Sequence, residues 1–144
     1  RFAPILGHDL DSVDRVALEE TLDKAIDQVR QDYDAVKGRY DYPRPFQVSD
    51  AVTPVGDARP VASYPSGHAI RATVYARLLA YIFPEREAEL SELARQIGYG
   101  RVTAGVHYPM DIISGQLLGN AYADVILRQP SFQEAVMRIR GIKE

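Results

Sequence analysis

Three short clusters carry the residue types that metal-independent phosphoryl transfer requires: Lys37 with Arg44-Pro45, Pro65-Ser66-Gly67-His68, and Arg101 with His107 and Asp111. Three cations supply a cradle for an anion. A Ser-Gly-His turn that opens a helix adds backbone N–H donors, and a second histidine followed four positions later by a carboxylate adds an oriented nucleophile. No single cluster carries the argument; the ordered set does.

Each cluster also has a plain structural reading. Lys37 can complement the negative end of its helix, and Arg44 can be a solvated loop residue, although Pro43 and Pro45 stiffen the chain around it and would fix the direction of its guanidinium. Ser66 suits an N-cap, and the N–H groups of the turn that follows point, with the helix dipole, at an anion. Gly67 allows a ligand close to the backbone, and His68 in the first turn faces the same space. If Pro109 opens a helix, Asp111 lies in its first turn, where it can cap the helix and also accept from His107. That second contact fixes the tautomer and leaves the far ring nitrogen nucleophilic. Arg101, six residues before His107, can reach the same centre or serve only as a C-terminal helix charge.

The elements that must position these residues read as helices. From Ser12 to about Gly38 the apolar residues Leu22, Ala25, Ile26, Val29, Tyr33 and Val36 recur at three- and four-residue spacing, which predicts a long amphipathic helix. Five prolines between Tyr40 and Pro65 predict an irregular, ordered loop. Further helices are expected over Gly67 to Phe83, Pro84 to about Ala104, Pro109 to Pro130 and Ser131 to about Arg140. No alternating strand and no internal repeat stands out. The expectation is an all-α fold, a bundle of about five helices in a single domain spanning residues 1–144.

Composition narrows the function classes. With 17 Lys and Arg against 20 Asp and Glu, the formal charge is -3, so no basic footprint for nucleic acid or an anionic membrane exists and anion binding must be local. Arg71, Arg77, Asn120 and Asp124 interrupt the most apolar windows, and no transmembrane segment is expected. Cysteine is absent, which excludes disulfides and thiolate chemistry. The chain opens on Arg1 without a leader pattern and reads as trimmed or processed.

The order Lys37, six residues, Arg44-Pro45, then Pro65-Ser66-Gly67-His68, then Arg101, five residues, His107, three residues, Asp111 resembles the three-part signature of the type 2 phosphatidic acid phosphatase and vanadium haloperoxidase superfamily. Within it, Ala62-Ser63-Tyr64-Pro65-Ser66-Gly67-His68-Ala69 is most similar to the bacterial class A non-specific acid phosphatases. The resemblance implies a phosphomonoesterase in which His107 attacks phosphorus, Asp111 orients His107, and His68 protonates the departing alkoxide and later activates water. Lys37, Arg44, Ser66, Gly67 and Arg101 would hold the phosphoryl oxygens. It implies no cofactor, vanadate acting as an inhibitor, an acidic optimum, small phosphomonoesters as substrates, and a periplasmic or secreted location; homo-oligomerisation stays open. Two departures stand out: Gly100 occupies the position before the arginine where the family usually has serine, and soluble members carry more helices ahead of the first cluster. Competing expectations are a haloperoxidase with vanadate as cofactor, a lipid phosphatase, a serine hydrolase built on Ser66, His107 and Asp111 though without a nucleophile elbow, and an inert helical module that keeps an anion site. His8 matches no cluster and reads as incidental.

Overall fold

The computed structural model describes residues 1–56 and 58–141, and no strand occurs among them. The described residues form seven α-helices, rather than the five or so expected: α1 (Ala3–Leu6), α2 (Arg15–Lys37), α3 (Pro45–Val48), α4 (Gly67–Ile82), α5 (Glu87–Thr103), α6 (Pro109–Arg128) and α7 (Pro130–Ile139). The five long ones are those anticipated. The additions, α1 and α3, are four residues each and too short to show a period. In α3 the proline that argued against a helix sits at its first position, where the missing N–H has no intrahelical role. The α2 helix starts three residues later than expected. Gly7–Ser12 forms a 3₁₀ turn, and Asp14 caps α2 by accepting from Ala17 N at 3.1 Å. Pro84–Arg86 is likewise a 3₁₀ turn ahead of α5.

The central element is α4. Ala69, Ile70, Ala72, Val74, Ala76, Leu78, Leu79 and Ile82 are buried around its circumference, because α5 and α6 cover two of its sides and α2 a third. Leu18, Ile26, Val29 and Tyr33 of α2 and Phe132, Val136 and Ile139 of α7 complete the same core. Asp14 N donates to Ile139 O at 2.8 Å, joining the start of α2 to the end of α7.

The crossing of α4 and α6 depends on glycine. A Cβ on Gly115 would lie 2.9 Å from Ser66 O and from Ala69 Cβ, and one on Gly119 would lie 2.8 Å from Thr73 Cβ and 2.9 Å from Ile70 O. With no side chain at these two positions, one turn apart, the backbones approach closely. This contact lies directly behind the first turns of both helices, where the candidate residues sit. No helix among the described residues is long and apolar enough to cross a membrane.

Candidate active site

The loop stretch Val61–Ser63 ties the three clusters together. Lys37 Nζ, at the end of α2, donates to Ala62 O at 3.2 Å, and Arg44 Nε donates to Val61 O at 2.9 Å. Ser63 N donates to Tyr42 O at 2.9 Å, and Ser63 Oγ donates to Asp111 Oδ2 at 2.5 Å. Arg44 is the N-cap of α3, its N–H held by Gln47 Oε1 at 2.8 Å, so its side chain leaves a fixed backbone.

The third cluster follows from how α5 ends. Val106 N donates to Arg101 O at 3.2 Å and Gly105 N to Val102 O at 3.0 Å, with Gly105 at a φ of 73°, which is a Schellman stop. This turn leads from Arg101 in the last turn of α5 to a fully buried Val106 and then His107. Pro109 then opens α6. Asp111, in its first turn, accepts from Tyr108 N at 2.9 Å and from His107 Nδ1 at 3.2 Å. Ser66 N donates to the carbonyl of Asp111 at 3.1 Å, so the first turns of α4 and α6 are joined through the main chain.

His107 and Asp111 are 2% and 3% exposed. Burial pushes the imidazole of His107 below its ordinary value, and neighbouring Arg44 and Lys37 push the same way against the opposing pull of Asp111. Burial on its own would raise the Asp111 carboxyl, but hydrogen bonds from His107, Ser63 and Tyr108 outweigh it and hold the group below the usual carboxylate value. The pair is therefore neutral imidazole beside carboxylate. In that state Nδ1 must be the donor to Asp111, which leaves the Nε2 lone pair on the opposite ring edge.

Six of the eight residues singled out from the sequence, Lys37, Arg44, Gly67, His68, Arg101 and His107, line one cleft of about 590 Å³. Asp111 and Ser66 lie behind it. Ser66 is fully buried and its Oγ caps α4 by accepting from Ala69 N at 3.2 Å, so the hydroxyl is placed as a cap and not in the cleft wall. Burial and the nearby Arg44 lower Lys37 to about 8. Burial, then Arg101, Arg71 and His107, lower His68 to about 4. These neighbours disfavour positive charge on His68, and a phosphate beside it would act in the opposite direction. No group of three or more His, Asp or Glu side chains is placed to hold a metal ion among the described residues. His8 is exposed on the 3₁₀ turn, 3.3 Å from Asp11 Oδ2, and does not line the cleft.

Three contributors were not singled out from the sequence. Ser63 stands inside the quoted octapeptide, and its only signal was a small hydroxyl next to the cluster. Tyr33 and Arg71 also line the cleft, joined by a hydrogen bond from Arg71 Nη1 to the Tyr33 hydroxyl. Tyr33 precedes Lys37 by one turn of α2, and Arg71 follows His68 by one turn of α4.

Known proteins are similar to parts of this chain. The chain is 33% identical over 78 residues to a non-specific acid phosphatase of Salmonella typhi, covering 54% of this chain and 31% of that protein. It is 27% identical over 106 residues to a lipid A 1-phosphatase of Rhizobium etli, covering 74% and 41%, and 42% identical over 59 residues to an undecaprenyl-diphosphatase of Sulfolobus acidocaldarius, covering 40% and 29%. The matched region spans well under half the length of each of these relatives. The family model described as the PAP2 superfamily matches residues 25–134, which takes in all three clusters, the later part of α2 and the whole of α4, α5 and α6, and the chain belongs to that phosphatase superfamily.

Proposed function

We propose that the protein is a phosphomonoester hydrolase acting through a phosphohistidine. The observation that carries this reading is the buried Asp111–His107 pair, whose free ring edge meets a cleft walled by Lys37, Arg44, Arg101 and His68. His107 Nε2 attacks phosphorus and the bond from phosphorus to the ester oxygen breaks. The departing oxygen takes a proton from His68. Water then attacks the phosphoryl group, His68 accepts the water's proton, the P–N bond breaks and phosphate leaves. Throughout, the three cations and the backbone N–H groups at the start of α4 stabilise charge on the equatorial oxygens, which is the main demand of phosphoryl transfer.

Because burial and its cationic neighbours lower His68 to about 4, the proton for the leaving group has two equivalent sources. A dianionic ester raises His68 on binding, or a monoanionic ester brings the proton itself. Both require one proton more than dianion plus neutral enzyme, so kcat/KM falls as pH rises above the second phosphate pKa of about 6. An acidic optimum follows.

The test is hydrolysis of p-nitrophenyl phosphate from pH 4 to 9 in EDTA, with and without vanadate, together with rapid quenching into base and into acid. Turnover in EDTA, inhibition by vanadate and a phosphoenzyme that survives base but not acid are expected. His107→Ala should abolish turnover; hydrolysis at the wild-type rate in that variant overturns the assignment.

A further inference from the structure

Lys37, Arg44 and Arg101 serve the transferred phosphoryl group in the reading above, and three more arginines, Arg30, Arg59 and Arg71, line the same cleft. Arg71 lies three residues after His68 on α4, so its side chain and the imidazole share one helix face. Arg71 lines the phosphate cleft and also a second cleft of about 510 Å³, walled largely by apolar residues of α1, α2 and α4. His68 and Arg71 are the two residues common to both linings. Arg71 therefore stands beside His68 on the boundary that the two clefts share.

Arg71 is half-buried, and among the described residues the Tyr33 hydroxyl is its one hydrogen-bond partner, with no carboxylate paired to it. A neutral phenol occupies one N–H donor and supplies no charge, and a partly desolvated guanidinium gains most from an anion that grips it in a forked geometry. Tyr33 is 2% exposed and fixes the guanidinium in place. Gly67 makes room for the pair, since a Cβ there would lie 3.2 Å from Arg71 Nη1 and 3.3 Å from the Tyr33 hydroxyl. Asp34 and Asp41 line the phosphate cleft and Glu19 lines the second one, but among the described residues none of the three is hydrogen-bonded to Arg71.

We propose that Arg71 is a specificity residue for the leaving group, whose remaining N–H donors bind a second anionic group, carboxylate or phosphoryl, carried by the departing fragment close to the scissile oxygen. This rests on the hydrolase reading of the same site. The preferred substrates are phosphate esters or anhydrides whose departing fragment is itself an anion. The bond that breaks and the proton that His68 gives are unchanged. Arg71 stays paired to the second anion in both ground and transition states, so its contribution appears mainly in KM.

The experiment compares kcat/KM for methyl phosphate, 2-phosphoglycolate and inorganic pyrophosphate in the wild type, Arg71→Gln and Arg71→Lys. The variant to wild-type ratio for each substrate cancels differences in leaving-group reactivity. Arg71→Gln should lose about ten- to a hundred-fold more on 2-phosphoglycolate or pyrophosphate than on methyl phosphate, with Arg71→Lys recovering part of it. A selective loss on 2-phosphoglycolate identifies a carboxylate as the partner, and one on pyrophosphate a phosphoryl group. Equal losses on all three overturn the proposal and leave Arg71 as a clasp on Tyr33. If the wild type hydrolyses none of them, the hydrolase reading fails separately, and calorimetric binding then decides for Arg71. A preference for 2-phosphoglycolate over methyl phosphate that disappears in Arg71→Gln sustains the proposal, and no preference in the wild type overturns it.

Discussion

Replacing Asp111 by asparagine isolates the charge of the orienting group while keeping its size. Three donors converge on Oδ2: Ser63 Oγ, Tyr108 N and His107 Nδ1. An asparagine oxygen can receive all three, but as a neutral acceptor, and each bond then falls from about 1.5–3 kcal/mol toward about 0.5–1.5 kcal/mol. The gross loss is about 3–4 kcal/mol, part of which is returned because a buried carboxylate no longer has to be desolvated, leaving a net destabilisation of about 1–2 kcal/mol. The kinetic cost is larger. Without the carboxylate nothing stabilises positive charge on the ring as Nε2 bonds to phosphorus, and kcat should fall about 10²- to 10⁴-fold while KM changes little. The pH dependence of stability carries the sign. The folded carboxyl titrates below its unfolded value, so it contributes stability that is present above about pH 4 and is lost as pH falls through the folded value. Thermal melts of Asp111→Asn should therefore lack that part of the acid loss. Steady-state kinetics on p-nitrophenyl phosphate and melts from pH 2.5 to 7 check both. A kcat within ten-fold of wild type would refute the oriented-nucleophile reasoning.

Other expectations concern neighbouring parts of the site. His68→Ala should depress hydrolysis of alkyl phosphates at least about a hundred-fold more than that of p-nitrophenyl phosphate, whose leaving group needs little protonation; comparing the two substrates in one buffer series decides it. Lys37 is lowered to about 8, so the folded state binds fewer protons than the unfolded between about pH 8 and 10.4 and stability rises across that window. Lys37→Met should remove the rise in melts over that range, and raise KM about ten- to a hundred-fold by deleting one phosphate contact. Gly119→Val places a branched side chain where a Cβ would already lie 2.8 Å from Thr73, and should cost about 3 kcal/mol, read as a melting point lower by roughly 10 °C.

The parts of this molecule that local sequence rules govern were legible from those rules. Pro109 and Ser66 announced helix starts, and these starts place Asp111 and the Gly67-His68 turn, because capping and the geometry of proline act within a few residues. The amphipathic pattern of α2 placed Lys37 at its end. What escaped local rules depends on contacts between segments far apart in the chain. Ser63 matters because it meets Asp111 across 48 positions, and Arg71 because it meets Tyr33 across 38. The role assigned to Ser66 illustrates the same boundary: its capping was readable, but whether its hydroxyl reaches the cleft depends on how α4 sits against α6. The spacing of Gly115 and Gly119 was visible as two glycines four apart, yet nothing in the chain says which helix they approach.

The two halves of the site are anchored differently, and this sets the order in which they fail on warming. His107, Asp111 and the start of α4 are held by buried side chains and by the glycine crossing, so they come apart only with the core. Lys37 and the buried Arg44 are tied to the irregular loop through the carbonyls of Ala62 and Val61. If that loop loosens below the melting transition, the contacts of these two cations slacken before the His107–Asp111 pair does. A hydrolase built this way would lose affinity for its substrate while each bound molecule still turned over, and high substrate or free phosphate would prolong its working life at a temperature where the unliganded protein is already a poor binder.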